Sequence, residues 1–338
     1  MLNFPYITMF LFLMITGTFF SLSSSHWFGV WMGLELNLMG IIPIMLQKGG
    51  SKETESAIKY FIIQASGSAL FLFSIMLMSW SLLSWNLNFF HSYNISILLI
   101  FSLILKMGSA PLHFWVPGVM AGLSWFSNFL LLTWQKITPL LVITTFTQFS
   151  NNLLLFFIFF SSMIGGIGGI NQTSLRNLIA YSSIAHTGWL LSAASTGLKI
   201  CMLYFSIYAL IILFMSSLLM KEEMKNMSNL SNVFSWDPSS RLYLILILFS
   251  LSGLPPFLGF FSKWFVIINL TNLSNLLIPF ILIIGSLITL YYYLILSFSL
   301  LLSQPIFYMM KDTISYSMWK MISLNLIGLS MIFWFMTF

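Results

Sequence analysis

Four charged side chains lie inside long apolar runs of this sequence: Glu35, Lys106, Lys136 and Lys263. Lys106, for example, follows ISILLIFSLIL, and Lys136 precedes ITPLLVITTF. If these runs are membrane helices, each charge at the centre of the lipid costs roughly 3 kcal/mol. A chain that keeps four such charges is expected to use them, because ionisable groups inside a membrane commonly mark an ion path or a proton relay.

The composition supports a membrane location. Of the 338 residues, 59% are hydrophobic and 6% are charged, whereas a soluble domain carries about 25% charged residues. The net charge of +6 is spread between the apolar runs, which argues against nucleic-acid binding. The single cysteine, Cys201, excludes an internal disulfide and a cysteine-based metal or iron–sulfur site built from this chain.

An apolar stretch of about 20 residues spans a bilayer, and this criterion predicts an all-α, polytopic membrane protein. About eleven transmembrane helices are expected, near residues 5–23, 27–46, 57–83, 97–114, 126–147, 153–170, 177–195, 200–220, 241–268, 275–302 and 321–337. The loops on the N-terminal side then hold nine Lys and Arg residues, and the opposite loops hold only Lys199. By the positive-inside rule, the N-terminus is predicted inside and the C-terminus outside.

Two of the predicted spans carry proline at matching positions. Span four has Lys106 before Pro111, and span nine has Pro255 and Pro256 before Lys263. Proline interrupts a helix, and a membrane tolerates the break only where protein or a water-filled cavity satisfies the freed backbone groups. Because the broken spans are five apart, we expect two inverted five-helix repeats. Within one transmembrane domain (1–338), the repeats cover 1–150 and 151–303, and an inner-side segment with a final helix covers 304–338.

Five segments carry a family resemblance: WMGLELNLMGIIPI, KMGSAPLHFWVPGVMAGLSW, LLTWQKITPL, AYSSIAHTGWLL and SGLPPFLGFFSKW. Together they resemble the antiporter-like, Mrp-type membrane subunits of respiratory complex I, the proton-pumping NADH:ubiquinone oxidoreductase. The similarity runs from about Trp27 to Trp264. Typical members have fourteen or more spans, and a shortened animal form lacks the first three, which agrees with the helices predicted here.

The resemblance implies a role in proton translocation for six residues: Glu35, Lys106, Lys136, Lys263, His113 and His186. Glu35 is implied to pair with Lys106, Lys136 to be the connecting lysine of the eighth family helix, and Lys263 to occupy the terminal lysine position near the outer side. The two histidines are implied to line the hydrated axis between these groups. Gly118 departs from the pattern, because many relatives carry an acidic residue there.

The resemblance also implies the setting in which the chain works. NADH-to-ubiquinone electron transfer elsewhere in the complex drives translocation, and FMN, iron–sulfur clusters and ubiquinone belong to other subunits. This chain is expected to hold no redox centre, substrate site or cofactor of its own. Expected partners are the other membrane-arm subunits, including neighbouring antiporter-like subunits, and membrane lipids. The expected location is the mitochondrial inner membrane, with the N-terminus in the matrix and the C-terminus in the intermembrane space.

Lysine suits such a relay because its affinity for a proton depends on its surroundings. Burial disfavours an ammonium and a nearby carboxylate favours it, so Lys106 is expected to be loaded or unloaded as its relation to Glu35 changes. Arginine stays protonated and cannot do this. We predict that Glu35 and Lys106 lie about 4 Å apart or share one bridging water. The lysines and the two histidines are predicted to form one line at mid-depth in the membrane.

Plainer interpretations remain open for the same residues. Glu35 and Lys106 could form a structural ion pair, Lys263 could extend to the outer face, and the histidines could be ordinary hydrogen-bonding residues. The alternatives for the whole protein are a stand-alone cation/proton antiporter and a cytochrome-like subunit. The second alternative requires His113 and His186 to face each other across a haem.

Overall fold

The computed structural model describes residues 4–47, 49–82, 93–146, 151–223, 238–273 and 276–302. These residues form thirteen helices: α1 (Phe4–Ser23), α2 (Trp27–Met45), α3 (Ser51–Leu82), α4 (Tyr93–Met107), α5 (Trp115–Gly122), α6 (Trp125–Leu132), α7 (Trp134–Phe146), α8 (Asn151–Ile170), α9 (Leu175–Thr196), α10 (Leu198–Glu223), α11 (Pro238–Ser252), α12 (Leu258–Asn272) and α13 (Leu277–Leu302). The described part of the chain contains no strand, as the sequence predicts. The predicted final span at 321–337 and the segment 304–338 lie outside the described residues.

Seven helices or helix pairs in the described ranges are long and apolar enough to cross a membrane. The chain is therefore a multi-pass membrane protein, and the count of eleven spans remains a prediction. Helix α9, which matches predicted span seven, is not among the seven. Every residue from Ser182 to Ala194 is buried, so α9 is surrounded by protein and does not need an apolar surface towards lipid.

The chain divides into two compact units, Met1–Phe157 and Ile158–Phe338. In the first unit, α1 packs along α2, α3 contacts α2, α4 and α5, and α4 packs on α7. In the second, α10 contacts α9, α11 and α12, while α13 packs on α9 and α11. Helices α1 and α2 approach closely at Gly17, where a Cβ atom would lie 2.8 Å from the backbone nitrogen of Asn37. Small residues allow such backbone contact between membrane helices.

The two predicted breaks are confirmed, and the helix before each break ends in the same way. Helix α4 ends before Gly108 (φ 70°), and α11 ends before Gly253 (φ 80°). The amides of Gly108 and Ser109 both donate to the carbonyl of Ile104, at 3.0 and 3.4 Å. In α11 the corresponding amides donate to Phe249, both at 3.2 Å. This pair of bonds is a common helix ending around a left-handed glycine, and in both cases a proline follows three residues later.

Span five differs from the sequence prediction, which treats 126–147 as one helix. The structure divides it at Thr133 into α6 and α7. The Thr133 hydroxyl donates to the carbonyl of Phe129 at 2.7 Å, a local bond that competes with regular helix geometry. Pro139 lies six residues further on and cannot donate to the carbonyl of Gln135. The irregular residue therefore stands three positions before Lys136.

Candidate functional site

In the first unit, Lys106 occupies the last turn of α4, beside the break, and is 6% exposed. Side chains from other elements bind the carbonyls that the break leaves free. Gln64 of α3 donates to the Lys106 carbonyl at 3.2 Å, and Trp115 of α5 donates to the Leu105 carbonyl, also at 3.2 Å. These backbone groups face polar side chains rather than lipid, as predicted for a break inside a membrane.

Helix α3 also shapes the space around the Lys106 stem. At Gly67 an added Cβ atom would lie 3.1 Å from Cγ of Lys106. The aliphatic part of the lysine thus passes directly over the backbone of α3. This contact limits the directions in which the ammonium group can move.

Glu35 lies on α2 and is only partly buried. Its carboxylate interacts electrostatically with the Lys106 ammonium, so the structure brings these two predicted residues into one region. No ion pair within 4.0 Å joins them in the described ranges. The direct form of the predicted contact is thus not observed, and a contact through water remains a prediction.

Lys136 is 4% exposed and lies in the first turn of α7. Its neighbour Gln135 bridges two other helices. The Gln135 amide donates to Asn37 of α2 at 2.9 Å, and its carbonyl oxygen accepts from the Tyr60 hydroxyl of α3 at 3.2 Å. The network connects the helix that carries Lys136 to the helix that carries Glu35. Sequence reasoning missed it, because isolated uncharged polar residues in apolar runs produce no pattern.

His113 lies in the break itself, between α4 and α5, and is 4% exposed. Its Nδ1 atom is 3.2 Å from the Pro111 carbonyl, and its ring lies 4.4 Å from that of Phe114. The histidine is therefore held by the interrupted segment. Its role as a relay between the lysines remains a prediction.

In the second unit, Lys263 is 6% exposed and points back towards the break in its own span. Its Nζ atom donates to the Ser252 carbonyl at 2.7 Å and lies 5.7 Å from the centre of the Trp189 ring, within the range of a cation–π interaction. Both contacts hold the side chain inside the protein. The alternative in which Lys263 extends to the outer face is therefore wrong.

His186, on α9, lies next to Lys263. The two side chains line the same cavity of about 10 Å³, together with Ser162, Trp189 and Thr289. A cavity of this size has room for about one water molecule. The Nδ1 atom of His186 is 2.8 Å from the Tyr204 hydroxyl. The structure thus brings together the two second-unit residues singled out from the sequence and adds a tyrosine that the sequence did not indicate.

Comparisons with known proteins find a matching family model and named relatives. The family described as NADH:quinone oxidoreductase/Mrp antiporter, TM matches residues 24–289. The chain is 43% identical to NADH-ubiquinone oxidoreductase chain 2 of Anopheles gambiae over 323 residues, which cover 94% of this chain and 92% of the relative.

Two solved structures share the fold at low sequence identity. A chain of respiratory complex I from Thermus thermophilus has a TM-score of 0.82 at 22% identity, covering 96% of this chain and 78% of its own length. A chain of the Mrp complex from Dietzia sp. DQ12-45-1b has a TM-score of 0.77 at 16% identity, covering 84% of this chain and 58% of its own length.

Proposed function

This chain belongs to the NADH:quinone oxidoreductase/Mrp antiporter family of membrane proteins, and we propose that it translocates protons as a membrane-arm subunit of complex I. A relative named NADH-ubiquinone oxidoreductase chain 2, similar over nearly its whole length, supports the assignment to that complex. In this proposal, redox chemistry and its cofactors belong to other subunits. The chain lies in the mitochondrial inner membrane, its N-terminus faces the matrix, and neighbouring antiporter-like subunits contact it.

The observation that carries the proposal is the burial of three lysines at helix interruptions. Lys106, Lys136 and Lys263 are 6%, 4% and 6% exposed, and each lies within a few residues of a break in its span. Buried charges are expensive and contribute little to stability. If the three lysines were purely structural, there would be no reason for all of them to lie at helix interruptions, where backbone carbonyls can bind polar groups.

Proton transfer in this arrangement proceeds through changes in the charge of neighbouring groups. Protonation of Lys106 depends on the Glu35 carboxylate, with which it interacts. Lys136 is the next acceptor, and repulsion between two ammonium groups in a medium of low dielectric constant favours discharge of one as the other is charged. The water-sized cavity between His186 and Lys263 provides the corresponding step in the second unit.

In the same proposal residues 1–150 and 151–303 form two inverted repeats within an eleven-helix bundle, and span four corresponds to span nine. The matched helix endings at Gly108 and Gly253 support this correspondence. Paired interrupted helices in inverted repeats place ion sites near mid-membrane. The line through the lysines and histidines follows from that placement.

The test is Lys136→Met in the assembled complex, because methionine keeps the length and apolar stem but cannot bind a proton. We expect the variant to assemble but to lose proton pumping or the electron transfer coupled to it. Lys136→Arg should also fail, because arginine does not release its proton. Lys199→Met, which removes an exposed lysine, is the matched control. Normal pumping with full coupling by Lys136→Met would refute the proposed role.

A further inference from the structure

Tyr204 contacts two residues of α9 that lie beside Lys263. It belongs to α10 and is 1% exposed. Its hydroxyl oxygen is 2.8 Å from Nδ1 of His186. Its ring is parallel to that of Trp189, with 5° between the planes and 6.3 Å between the ring centres. His186 and Trp189 line the same water-sized cavity as Lys263. One tyrosine therefore supports both of these α9 side chains.

The hydrogen bond between Tyr204 and His186 has a defined direction. Within the described ranges of the chain, the Tyr204 hydroxyl has no other hydrogen-bond partner. Tyr204 is also not among the residues that line the cavity beside Lys263. A buried hydroxyl whose proton meets no acceptor is costly. The hydroxyl therefore donates its proton, and Nδ1 of His186 accepts.

This direction fixes the position of the imidazole proton. A neutral imidazole has one N–H group and one nitrogen with a free lone pair, and the bond made by one nitrogen determines the state of the other. Because Nδ1 accepts from Tyr204, the proton of neutral His186 is on Nε2. Tyr208 packs against the imidazole, with 5.1 Å between the ring centres, and thus helps to hold the ring in this orientation.

In this tautomer His186 has no free lone pair. Nδ1 accepts from Tyr204, and Nε2 already carries a proton. The imidazole can therefore donate a hydrogen bond to a water in the cavity, but it cannot take a proton from that water or from Lys263. The Lys263 ammonium keeps its contacts with the Ser252 carbonyl and the Trp189 ring.

We propose that Tyr204 is a positioning residue that keeps the His186 proton on Nε2 and so prevents the return of a proton from Lys263 to His186. The inference rests on the proposed function, in which Lys263 binds a proton. His186 could accept at Nε2 only if its own proton were on Nδ1. The Tyr204 oxygen would then have to accept from Nδ1, and the hydroxyl proton would lose the acceptor that it has in the structure.

The first experiment measures protons pumped per electron by the assembled complex in sealed vesicles. Tyr204→Phe removes the hydroxyl and keeps the ring that lies parallel to Trp189. The control is Tyr243→Phe, because Tyr243 is also buried in the second unit and its hydroxyl has no hydrogen-bond partner. We expect Tyr204→Phe to keep its rate of electron transfer but to pump fewer protons per electron, and Tyr243→Phe to behave as the unaltered complex. A normal ratio in Tyr204→Phe, or an equal loss in both variants, would overturn the inference.

The second experiment measures the tautomer itself, which a purely structural role of Tyr204 would leave unchanged. Infrared spectra are recorded from the complex with isotope-labelled histidine, and subtraction of the His186→Gln spectrum isolates the signal of His186. We expect the Nε2–H form in the unaltered complex and a mixture of both forms in Tyr204→Phe. An Nδ1–H form in the unaltered complex would overturn the inference, and this result does not require Tyr204→Phe to assemble.

Lys263→Met, measured alongside, separates this inference from the proposed function. If Lys263→Met stops pumping and Tyr204→Phe pumps normally, the role of Tyr204 is wrong and the proposed function stands. If Lys263→Met pumps normally, the proposed function fails for this unit, and the role of Tyr204 in preventing proton return fails with it.

Discussion

Lys263 donates a 2.7 Å hydrogen bond to the carbonyl of Ser252, the last residue of the preceding helix. The bond therefore joins the two halves of one interrupted span. It places a charged group where the carbonyls at the helix end lack helical hydrogen-bond partners. The ring of Trp189 covers the same ammonium. Lys263 thus contributes both to the geometry of the break and to the proposed chemistry.

Substitution of Lys263 should separate these two contributions. In Lys263→Met the Ser252 carbonyl loses its partner, which costs about 1–3 kcal/mol, and the site can no longer bind a proton. We expect reduced levels of assembled complex and loss of pumping. Lys263→Arg should restore the bond and the level of assembly but not pumping, because arginine keeps its proton. Native gels and proton uptake measure the two effects, and Lys221→Met, at an exposed position, is the control.

Removal of the negative charge at Glu35 should affect coupling without loss of the fold. Glu35→Gln keeps the shape but ends the electrostatic interaction with Lys106. We expect assembly near the normal level and a loss of proton pumping relative to electron transfer. The control is Glu55→Gln, since Glu55 forms an exposed ion pair with Lys59 and such pairs contribute little. Equal behaviour of the two variants would contradict the coupling of Glu35 to Lys106.

Loss of the Gln135 side chain should reduce the stability of the protein more than loss of the Tyr60 hydroxyl does. Gln135→Leu removes both hydrogen bonds and leaves Asn37 and Tyr60 without them, at about 1–3 kcal/mol for each buried group. Tyr60→Phe removes only one bond, worth about 1 kcal/mol. We expect the thermal inactivation temperature to fall more in the first variant. The opposite order would show that the bridge does not hold α2, α3 and α7 together.

Two glycines on the helices that follow the two breaks should respond in opposite ways to a methyl group. At Gly259 in α12, a Cβ atom would overlap the carbonyl oxygen of Ser250, whereas at Gly118 in α5 no atom lies within 4 Å. Gly259→Ala should destabilise by about 1–3 kcal/mol or more through overpacking. Gly118→Ala should be neutral or stabilising by up to about 1 kcal/mol, because alanine favours the helix. The amount of assembled complex distinguishes them, and equal amounts would contradict the close approach at Gly259.

The sequence predicts the features that depend on strong local signals. Proline and glycine predict the breaks beside Lys106 and Lys263, isolated lysines in apolar runs predict burial, and the quoted motifs predict the family, which is confirmed. The break at Thr133 was missed, because threonine is common in membrane helices and Pro139 follows it by six positions. The polar bridge at Gln135 depends on side chains distant in sequence, whose contacts only the packed helices reveal.

Helix α9 shows a further limit of prediction from hydropathy. Hydropathy identifies segments that face lipid, and it identifies α9 less well because protein surrounds this helix from Ser182 to Ala194. The residues that make α9 less apolar include His186, which contributes to the candidate site. In this chain, the helix that carries His186 therefore has a weaker hydropathy signal than the seven apolar segments.

The helix endings at Gly108 and Gly253 also have an electrostatic consequence. An α-helix carries a macrodipole equivalent to about half a negative charge at its C-terminus. Helices α4 and α11 end at the breaks, so each presents this negative pole in the protein interior, one beside Lys106 and the other at the Ser252 carbonyl that binds Lys263. The backbone thus supplies a counter-charge for each ammonium that no side-chain substitution can delete. This counter-charge would disappear only if each interrupted span became one continuous helix.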